Sequence, residues 1–226
     1  MRVKFKKWAI DYLNISKINQ FDLSNDSNEE LNSFILVKKT FLEIGPGKGD
    51  FIISFANKNP QFNFVVVELN RTVAGICLKK IDESKLTNIR LIVGDFYKFA
   101  NQIKQSSIEG LFLNFSDPWP KHHHESRRLT SDKFLMNYAL ILKLNAKIYQ
   151  KTDNIDFFNY SLKQYEKNKW KIISTDFEYN SNDIFDAETA FEVKFKAQGI
   201  KINRAIVQKT KDTIFREEKN EIRNIL

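Results

Sequence analysis

The stretch TFLEIGPGKGDFIISFANKN, residues 40–59, decides the fold class of this chain. It begins with five residues of strand composition, continues through glycines at positions 45, 47 and 49, and ends in an amphipathic segment that stops before Pro60. A short apolar strand, a glycine-rich turn and a helix in this order predict the start of a βαβ unit. Glycines in such a turn let a ligand approach the backbone closely, beside the N–H groups at the start of the helix.

Strand and helix patterns alternate along most of the remaining chain. Apolar segments predict strands over 62–69, 88–95, 110–115 and 146–153, and helices over 72–85, 133–143 and 155–168. Two late segments, 170–179 and 191–209, are predicted as further strands. The alternation predicts an α/β, Rossmann-like fold with a mostly parallel sheet and helices on both of its faces.

The length and composition suit one α/β domain, because 42% of the 226 residues are hydrophobic. We expect a single domain over 1–226, made of a basic N-terminal arm and first helix (1–39), a core (40–209) and a tail (210–226) that is either helical or disordered. The net charge of +8 favours a polyanionic partner, most often a nucleic acid, although a generally basic proteome would give the same value.

The single cysteine, Cys77, cannot form an internal disulfide, so we expect a reducing cytoplasm. Its neighbours, VAGICL, predict a buried helix position rather than a reactive thiol. The basic N-terminus is not followed by an apolar stretch long enough for a signal peptide or a membrane span.

Carboxylates follow or end three of the predicted strands. Glu43 precedes the glycines, Glu68 ends the next strand and Asp95 ends the third. The spacing G-x-G-x-G departs from the dinucleotide fingerprint, and an acid before the glycines suits a cationic amino group instead. Glu68 could accept hydrogen bonds from ribose hydroxyls and Asp95 from an adenine amino group, a set that matches S-adenosylmethionine. The alternative is that these acids only cap the ends of elements.

A second unusual stretch, NFSDPWPKHHHESRR at 114–128, follows the fourth predicted strand. Its prolines fix the backbone around Asp117, and Trp119 offers either a stacking face or a core anchor. The cationic side chains that follow could hold phosphates: Lys121, the three histidines, Arg127 and Arg128. A metal site is the rival interpretation of the histidines, and it is disfavoured because three consecutive residues in a loop rarely converge on one ion.

The run NFSDPWPKHHHESRRLTSDKFL resembles the signature of the bacterial tRNA (guanine-N7-)-methyltransferase family. Other pieces agree in order, namely MRVKFKKWAIDYL, FLEIGPGKGDF, VVVELN, LIVGDF, KTDN and TAFEVKFKAQGIKINR. The resemblance covers about residues 1–208 and implies a class I methyltransferase fold. It implies methylation of guanine N7 at position 46, in the variable loop of tRNA, by a monomer or homodimer without a metal. The alternatives are a methyltransferase that acts on another RNA and a catalytically silent RNA-binding subunit.

The resemblance also implies roles for individual residues. Cofactor contacts fall on Glu43, Glu68, Asp95 and Asp117, with Gly45 and Gly47 in the loop, and Asp117 is the candidate catalytic residue. Contacts to the RNA substrate fall on Lys121, Asp153, Thr189, Ala190, Phe191 and Glu192. Contacts to tRNA fall on the basic run, which includes His123, His124, Arg127 and Arg128.

Simpler roles are open for some of these residues. Asp153 could be the N-cap of the following helix, Glu192 a solvated strand acid and Lys121 a surface lysine. The chain departs from the family where it has His122, His123 and Ser126, because basic residues are usual there. Titrating or neutral groups therefore replace fixed charges, and we expect tRNA affinity to depend on pH.

Overall fold

The computed structural model describes residues 4–21, 23, 28–180 and 186–215. The chain divides into two compact units, Met1–Ile103 with Ser181–Val193, and Lys104–Asn180 with Lys194–Leu226. One domain over 1–226 stays a prediction. Residues 216–226 of the predicted tail lie outside the described residues.

The first unit alternates helices and strands. In chain order its elements are α1 (Lys7–Ile15), β1 (Gln20–Phe21), α2 (Asn28–Val37), β2 (Thr40–Ile44), α3 (Asp50–Lys58), β3 (Asn63–Glu68), α4 (Arg71–Ser84), β4 (Ile89–Val93) and α5 (Phe96–Phe99). The strands pair in parallel in the order β1-β4-β3-β2. Ile44 lies opposite Val67 and Glu68 opposite Val93, so the carboxyl ends of β2, β3 and β4 meet at one edge.

Strands β2 and β3 lie in the core of the first unit, and their burial explains why the sequence predicts them. Every residue of β2 and β3 is buried, and a parallel strand that is covered on both faces reads as a continuous apolar run. The predicted strands at 40–44 and 62–69 are confirmed, the second with one residue fewer at each end.

Helix α1 was not predicted, and it packs closely on α4. A Cβ built on Gly75 would lie 2.0 Å from the carbonyl oxygen of Ala9, so only glycine permits this approach of the two helices. Beside this contact, the carboxylate of Asp82 on α4 accepts three side-chain hydrogen bonds of 2.6 to 2.8 Å, from Tyr12, Ser16 and Asn19. These bonds fix the segment that leaves α1 against α4.

The elements that follow along the chain complete the fold. They are β5 (Ile108–Asn114), a 3-10 turn (His122–Arg127), α6 (Asp132–Ile141), β6 (Leu142–Thr152), α7 (Ile155–Lys167), β7 (Lys171–Asp176), α8 (Ala190–Ala197) and β8 (Asn203–Gln208). Strands β5 and β6 are parallel, and β8 pairs antiparallel with both β6 and β7. The fold is therefore Rossmann-like α/β with mostly parallel strands, as predicted.

Two boundaries differ from the sequence prediction. The segment 191–209 is not one strand, because its first half forms α8 and only Asn203–Gln208 is a strand. The predicted helix at 133–143 ends at Ile141, and β6 begins at Leu142 rather than at Ala146. The apolar residues run through this junction without a glycine or proline, so the sequence carries no signal for the change.

None of the helices within residues 4–21, 28–180 and 186–215 is both long and apolar enough to cross a membrane.

Candidate active site

The loop between β2 and α3 has a left-handed backbone at each of its glycines. Gly45, Gly47 and Gly49 have φ angles of 76°, 59° and 84°, which residues with side chains rarely adopt. The Gly45 N–H donates to the carbonyl of Val67 in β3 over 2.8 Å. A Cβ built on Gly45 or Gly47 would meet no atom within 4 Å, so the backbone is open to a ligand at these two positions.

The third glycine serves packing rather than access. A Cβ on Gly49 would lie 2.8 Å from the Sγ of Cys77 on α4. Cys77 is fully buried, as predicted for a structural cysteine. Burial, followed by the negative charges of Glu43 and Glu68, raises the pKa of its thiol. The thiol therefore stays protonated and is not a nucleophile.

Three carboxylates collect where β2, β3 and β4 end. Glu43 lies in β2 and is 1% exposed, and Glu68 is the last residue of β3 and is 8% exposed. Asp95 lies two residues beyond the end of β4 at Val93, so the prediction that it ends the strand was wrong by two residues. Because the three strands are parallel neighbours, their acids face the same edge.

Two of these acids also cap backbone. The Oε1 of Glu68 accepts the N–H of Asn70 at 2.8 Å, and Asn70 in turn caps the first turn of α4. The Oδ1 of Asp95 accepts the N–H of Tyr97 at 3.0 Å. A carboxylate can accept several hydrogen bonds, so capping fixes these groups without excluding a ligand.

The edge fits a ligand that carries positive charge and several donors. Its carboxylates suit an ammonium group, vicinal hydroxyls and an aromatic amine, and its glycine backbone admits close approach. S-Adenosylmethionine carries all of these groups, together with a cationic sulfonium.

In the second unit, the loop after β5 holds Asp117 in a constrained backbone. Strand β5 ends at Asn114, so the exposed Asp117 lies three residues beyond it. Phe115 has a φ of 51° and donates its N–H to the carbonyl of Lys151 at 2.8 Å. Trp119 has a φ of 43°. Positive φ angles at aromatic residues are uncommon and persist only where neighbours hold them.

Trp119 packs within its own loop. The ring of His124 meets the indole edge-on with 5.4 Å between centroids, and the guanidinium of Arg127 lies 5.0 Å from the indole centroid. The side chain is half-buried, so it is neither a fully buried core anchor nor a bare stacking platform.

The two adjacent arginines point to different partners. Arg127 is exposed. Arg128 is half-buried, and its guanidinium donates to the carbonyls of Pro118 and Trp119. The same guanidinium lies 4.2 Å from the ring centroid of Tyr160 on α7. No sequence pattern predicts these contacts, because they join residues that are 9 to 32 positions apart.

The histidines form part of this surface. His122 and His123 are exposed, and the rings of His123 and His124 lie 4.1 Å apart. Desolvation, with the positive charges of His123, Arg127 and Lys121, lowers the pKa of His124. Among the described residues, no three histidine, cysteine or acidic side chains are grouped so that they could hold a metal ion.

Lys121 and Asp153 are both exposed, which suits contact with a partner. Lys121 precedes the 3-10 turn, and Asp153 follows the end of β6 at Thr152. The suggestion that Asp153 caps the next helix was wrong, because Asn154 is the N-cap and its side chain accepts the N–H of Phe157 at 2.8 Å.

The segment from Thr189 to Glu192 forms the start of α8. The Thr189 N–H donates to the Glu192 carboxylate, and the Glu192 N–H donates to the Thr189 hydroxyl, both at 2.9 Å. This reciprocal pair is a capping box. Glu192 is fully buried, so the reading of it as a solvated strand acid was wrong. Ala190 is the first residue of α8, and Phe191 is 53% exposed.

Comparisons with known proteins agree with this arrangement. A family model described as a putative methyltransferase matches residues 37–205. A tRNA (guanine-N(7)-)-methyltransferase of Limosilactobacillus reuteri is 37% identical over 91% of this chain and 98% of its own length. Proteins of the same name from Lactobacillus gasseri (38% identity, 88% and 95% covered) and Staphylococcus saprophyticus (36%, 90% and 97%) are similar.

Solved structures share the fold at low sequence identity. The 16S rRNA methyltransferase KamB superposes with a TM-score of 0.60 at 13% identity, over 84% of this chain and 95% of that one. An antibiotic-related methyltransferase gives 0.58 at 17% identity, over 84% and 96%. The fold is thus that of methyltransferases, and by its sequence the chain belongs to the tRNA (guanine-N(7)-)-methyltransferase family.

Proposed function

We propose that this protein transfers the methyl group of S-adenosylmethionine to N7 of a guanine in tRNA. The observation that carries the proposal is the 37% identity to a protein of that named activity over 91% of the chain. We further propose that the guanine is position 46 of the variable loop, as the resemblance of the Asp117 region implies.

We propose that the cofactor is held by the residues at the carboxyl ends of β2, β3 and β4. Glu43 suits the ammonium group, Glu68 the ribose hydroxyls and Asp95 the adenine amine. Gly45 and Gly47 suit the close approach of the ligand to backbone, because a side chain at either position would occupy that open space. When bound, the cofactor supplies a methyl group that is attached to its sulfonium sulfur. Loss of the methyl group leaves the cofactor as a neutral thioether.

Methyl transfer to guanine N7 requires little acid–base catalysis by the protein. Guanine N7 has a lone pair and no proton, so it can form the new N–C bond while the S–C bond pair stays on sulfur. The residues must orient the base in line and exclude water. The methylated ring becomes cationic, and a carboxylate stabilises that developing charge. We assign this role to Asp117, or the orientation of the base, and not the role of general base.

We propose that other exposed and buried polar residues read the base and the tRNA backbone. Asp153 and Glu192 suit the N–H donors of guanine, since adenine would present a lone pair there instead. Glu192 is held by Thr189, and Ala190 and Phe191 lie on the same helical turn. The family resemblance assigns Lys121, His123, His124, Arg127 and Arg128 to the loop that binds the tRNA. Of these, the exposed Lys121, His123 and Arg127 suit direct contact with phosphates.

We place this activity in the cytoplasm, in a monomer or a homodimer. A chain with one buried cysteine suits a reducing compartment, where its substrate is also found.

The test is methyl transfer to unmodified tRNA transcripts from S-adenosylmethionine that is labelled on the methyl group. After digestion to nucleosides, the label should co-migrate with 7-methylguanosine. Label in another nucleoside would overturn the N7 assignment, and cofactor binding without label transfer to tRNA would overturn the substrate assignment.

A further inference from the structure

The loop that carries Asp117 is strained and depends on its neighbours. Trp119 has a φ of 43° and Phe115 a φ of 51°, and such angles are unfavourable at residues with large side chains. Such a loop relaxes unless other groups hold it.

Arg128 supplies the hydrogen bonds that hold this turn. Its Nε donates to the carbonyl of Pro118 at 3.0 Å and of Trp119 at 3.3 Å, and its Nη2 donates to the Trp119 carbonyl at 3.1 Å. One planar guanidinium therefore binds the carbonyls of both peptide groups that flank the Cα of Trp119. The fork geometry is specific to arginine, since a lysine ammonium is a point charge.

The backbone and side chain of Arg128 are themselves fixed. The guanidinium lies over Tyr160 at 4.2 Å, and the backbone N–H of Arg128 bonds the carbonyl of Glu125 at 3.0 Å. Two residues on, the buried Thr130 hydroxyl bonds Ser161 of α7 at 2.8 Å. The arginine therefore connects the loop to α7 through Tyr160.

Arg127 provides the contrast. It is exposed, with its guanidinium 5.0 Å from the centroid of the Trp119 ring, so its charge is available to a phosphate. We propose that Arg128 is a positioning residue, which holds the Pro118–Trp119 turn and through it the carboxylate of Asp117, whereas Arg127 is the phosphate-binding member of the pair. The catalytic part of this inference rests on the proposed function.

The first test compares Arg128→Met, Arg128→Lys and Arg127→Met in steady-state methylation and in tRNA binding over a range of salt. Arg128→Met should lower kcat about tenfold to a hundredfold with little change in KM, because the loop relaxes. Arg128→Lys should be nearly as impaired, and both should leave the salt dependence of tRNA affinity unchanged. Arg127→Met should weaken binding and lower the log–log salt slope by roughly 0.7 to 0.9, the loss of one phosphate contact.

A matched control is Lys163→Met, which removes an exposed positive charge from α7 of the same unit and should change neither kcat nor the slope. A lowered slope with intact kcat in Arg128→Met, or full rescue of kcat by Arg128→Lys, would overturn the proposal. If Arg128→Met does not fold, Arg128→Lys, which keeps charge and stem, gives the deciding result.

The second test does not depend on activity. In protein labelled with 5-fluorotryptophan, the 19F resonance of Trp119, assigned with Trp119→Phe, should shift and broaden in Arg128→Lys, while those of Trp8 and Trp170 stay in place. An unmoved Trp119 resonance would refute the bracing role. If the Trp119 resonance shifts in Arg128→Lys but the wild-type protein does not methylate tRNA, the bracing role stands and the proposed function is refuted.

Discussion

At the scale of single residues, Asp117 combines exposure with a constrained setting. It lies between Phe115, with its left-handed backbone, and two prolines that flank Trp119. An exposed carboxylate on a constrained loop can face a developing positive charge without first reorganising, which is what a methyl transfer to N7 needs.

Substitution of Asp117 should therefore separate catalysis from binding. Asp117→Asn keeps the shape and removes the charge, so kcat should fall about a hundredfold while the dissociation constant for tRNA stays within about twofold. Steady-state kinetics and fluorescence anisotropy measure the two quantities. Asp156→Asn, an exposed acid of α7, is the control. Retained turnover in Asp117→Asn would remove the charge from the mechanism.

Glu68 is both a structural cap and a proposed ligand. Glu68→Gln keeps an oxygen that can accept the Asn70 N–H, so stability should change little, and it removes the charge that favours bonds to ribose hydroxyls. Loss of a charge-assisted hydrogen bond, about 1.5–3 kcal/mol, should weaken S-adenosylmethionine binding roughly tenfold to a hundredfold in calorimetry.

The control for this change is Glu83→Gln on the exposed face of α4, where the side chain is 61% exposed. Equal cofactor affinity in Glu68→Gln and Glu83→Gln would show that Glu68 acts only as a cap.

The lowered pKa of His124 leads us to expect that tRNA binding depends on pH. In the free protein, desolvation and the charges of His123, Arg127 and Lys121 lower its pKa, so the ring is neutral near pH 7. A phosphate beside the ring favours the protonated form and raises the pKa in the complex. The complex then binds more protons than the free protein, so affinity should increase as the pH falls from about 8 to about 6.

Anisotropy titrations at constant ionic strength measure this effect, and His124→Asn should reduce it. A dissociation constant for the wild-type protein that is the same at both ends of the pH range would contradict the assignment of His124 to the tRNA surface.

At the scale of elements, α1 and α4 are joined by contact of backbone with backbone. Helix propensity alone predicts that Gly75→Ala stabilises α4 by about 0.5–1 kcal/mol. The packing predicts the opposite sign, because the added Cβ would lie 2.0 Å from the Ala9 carbonyl oxygen, and overpacking costs about 1–3 kcal/mol. Urea denaturation measures the difference, and a more stable variant would show that α1 is not seated on α4.

The elements also show what the sequence could predict. Strands β2 and β3 were found because strands buried on both faces leave uninterrupted apolar runs. Helix α8 was missed because its residues alternate apolar and charged like a strand. The pattern T-x-x-E at Thr189 and Glu192 was the local signal that a helix begins there.

Parts of the candidate site depended on tertiary structure and could not be predicted. The shared location of the acids at the ends of β2, β3 and β4 could be predicted, since parallel topology brings strand ends together. Their contacts with the cofactor stay a prediction. The hydrogen bonds of Arg128 to the Pro118 and Trp119 carbonyls carry no sequence pattern. The sequence pattern treated Arg127 and Arg128 as equivalent, and their burial and their contacts in the structure separate them.

At the scale of the whole molecule, acidic and basic side chains collect in different regions. The chain carries a net charge of +8, yet the strand ends of the first unit gather acids, and the loop after β5 gathers Lys121, three histidines and two arginines. The acidic strand ends complement the positive charge of the cofactor, and the basic loop complements the negative charge of the tRNA.

The measurement that tests the central claim most directly is chain cleavage at the methylated base. Unmodified tRNA transcripts are incubated with the protein and S-adenosylmethionine, then treated with borohydride and aniline, which break the chain at 7-methylguanosine. The proposed function predicts one new cut in the variable loop at position 46, and no cut in a transcript with adenosine at that position. Methyl incorporation without cleavage, or a cut elsewhere in the tRNA, would contradict it.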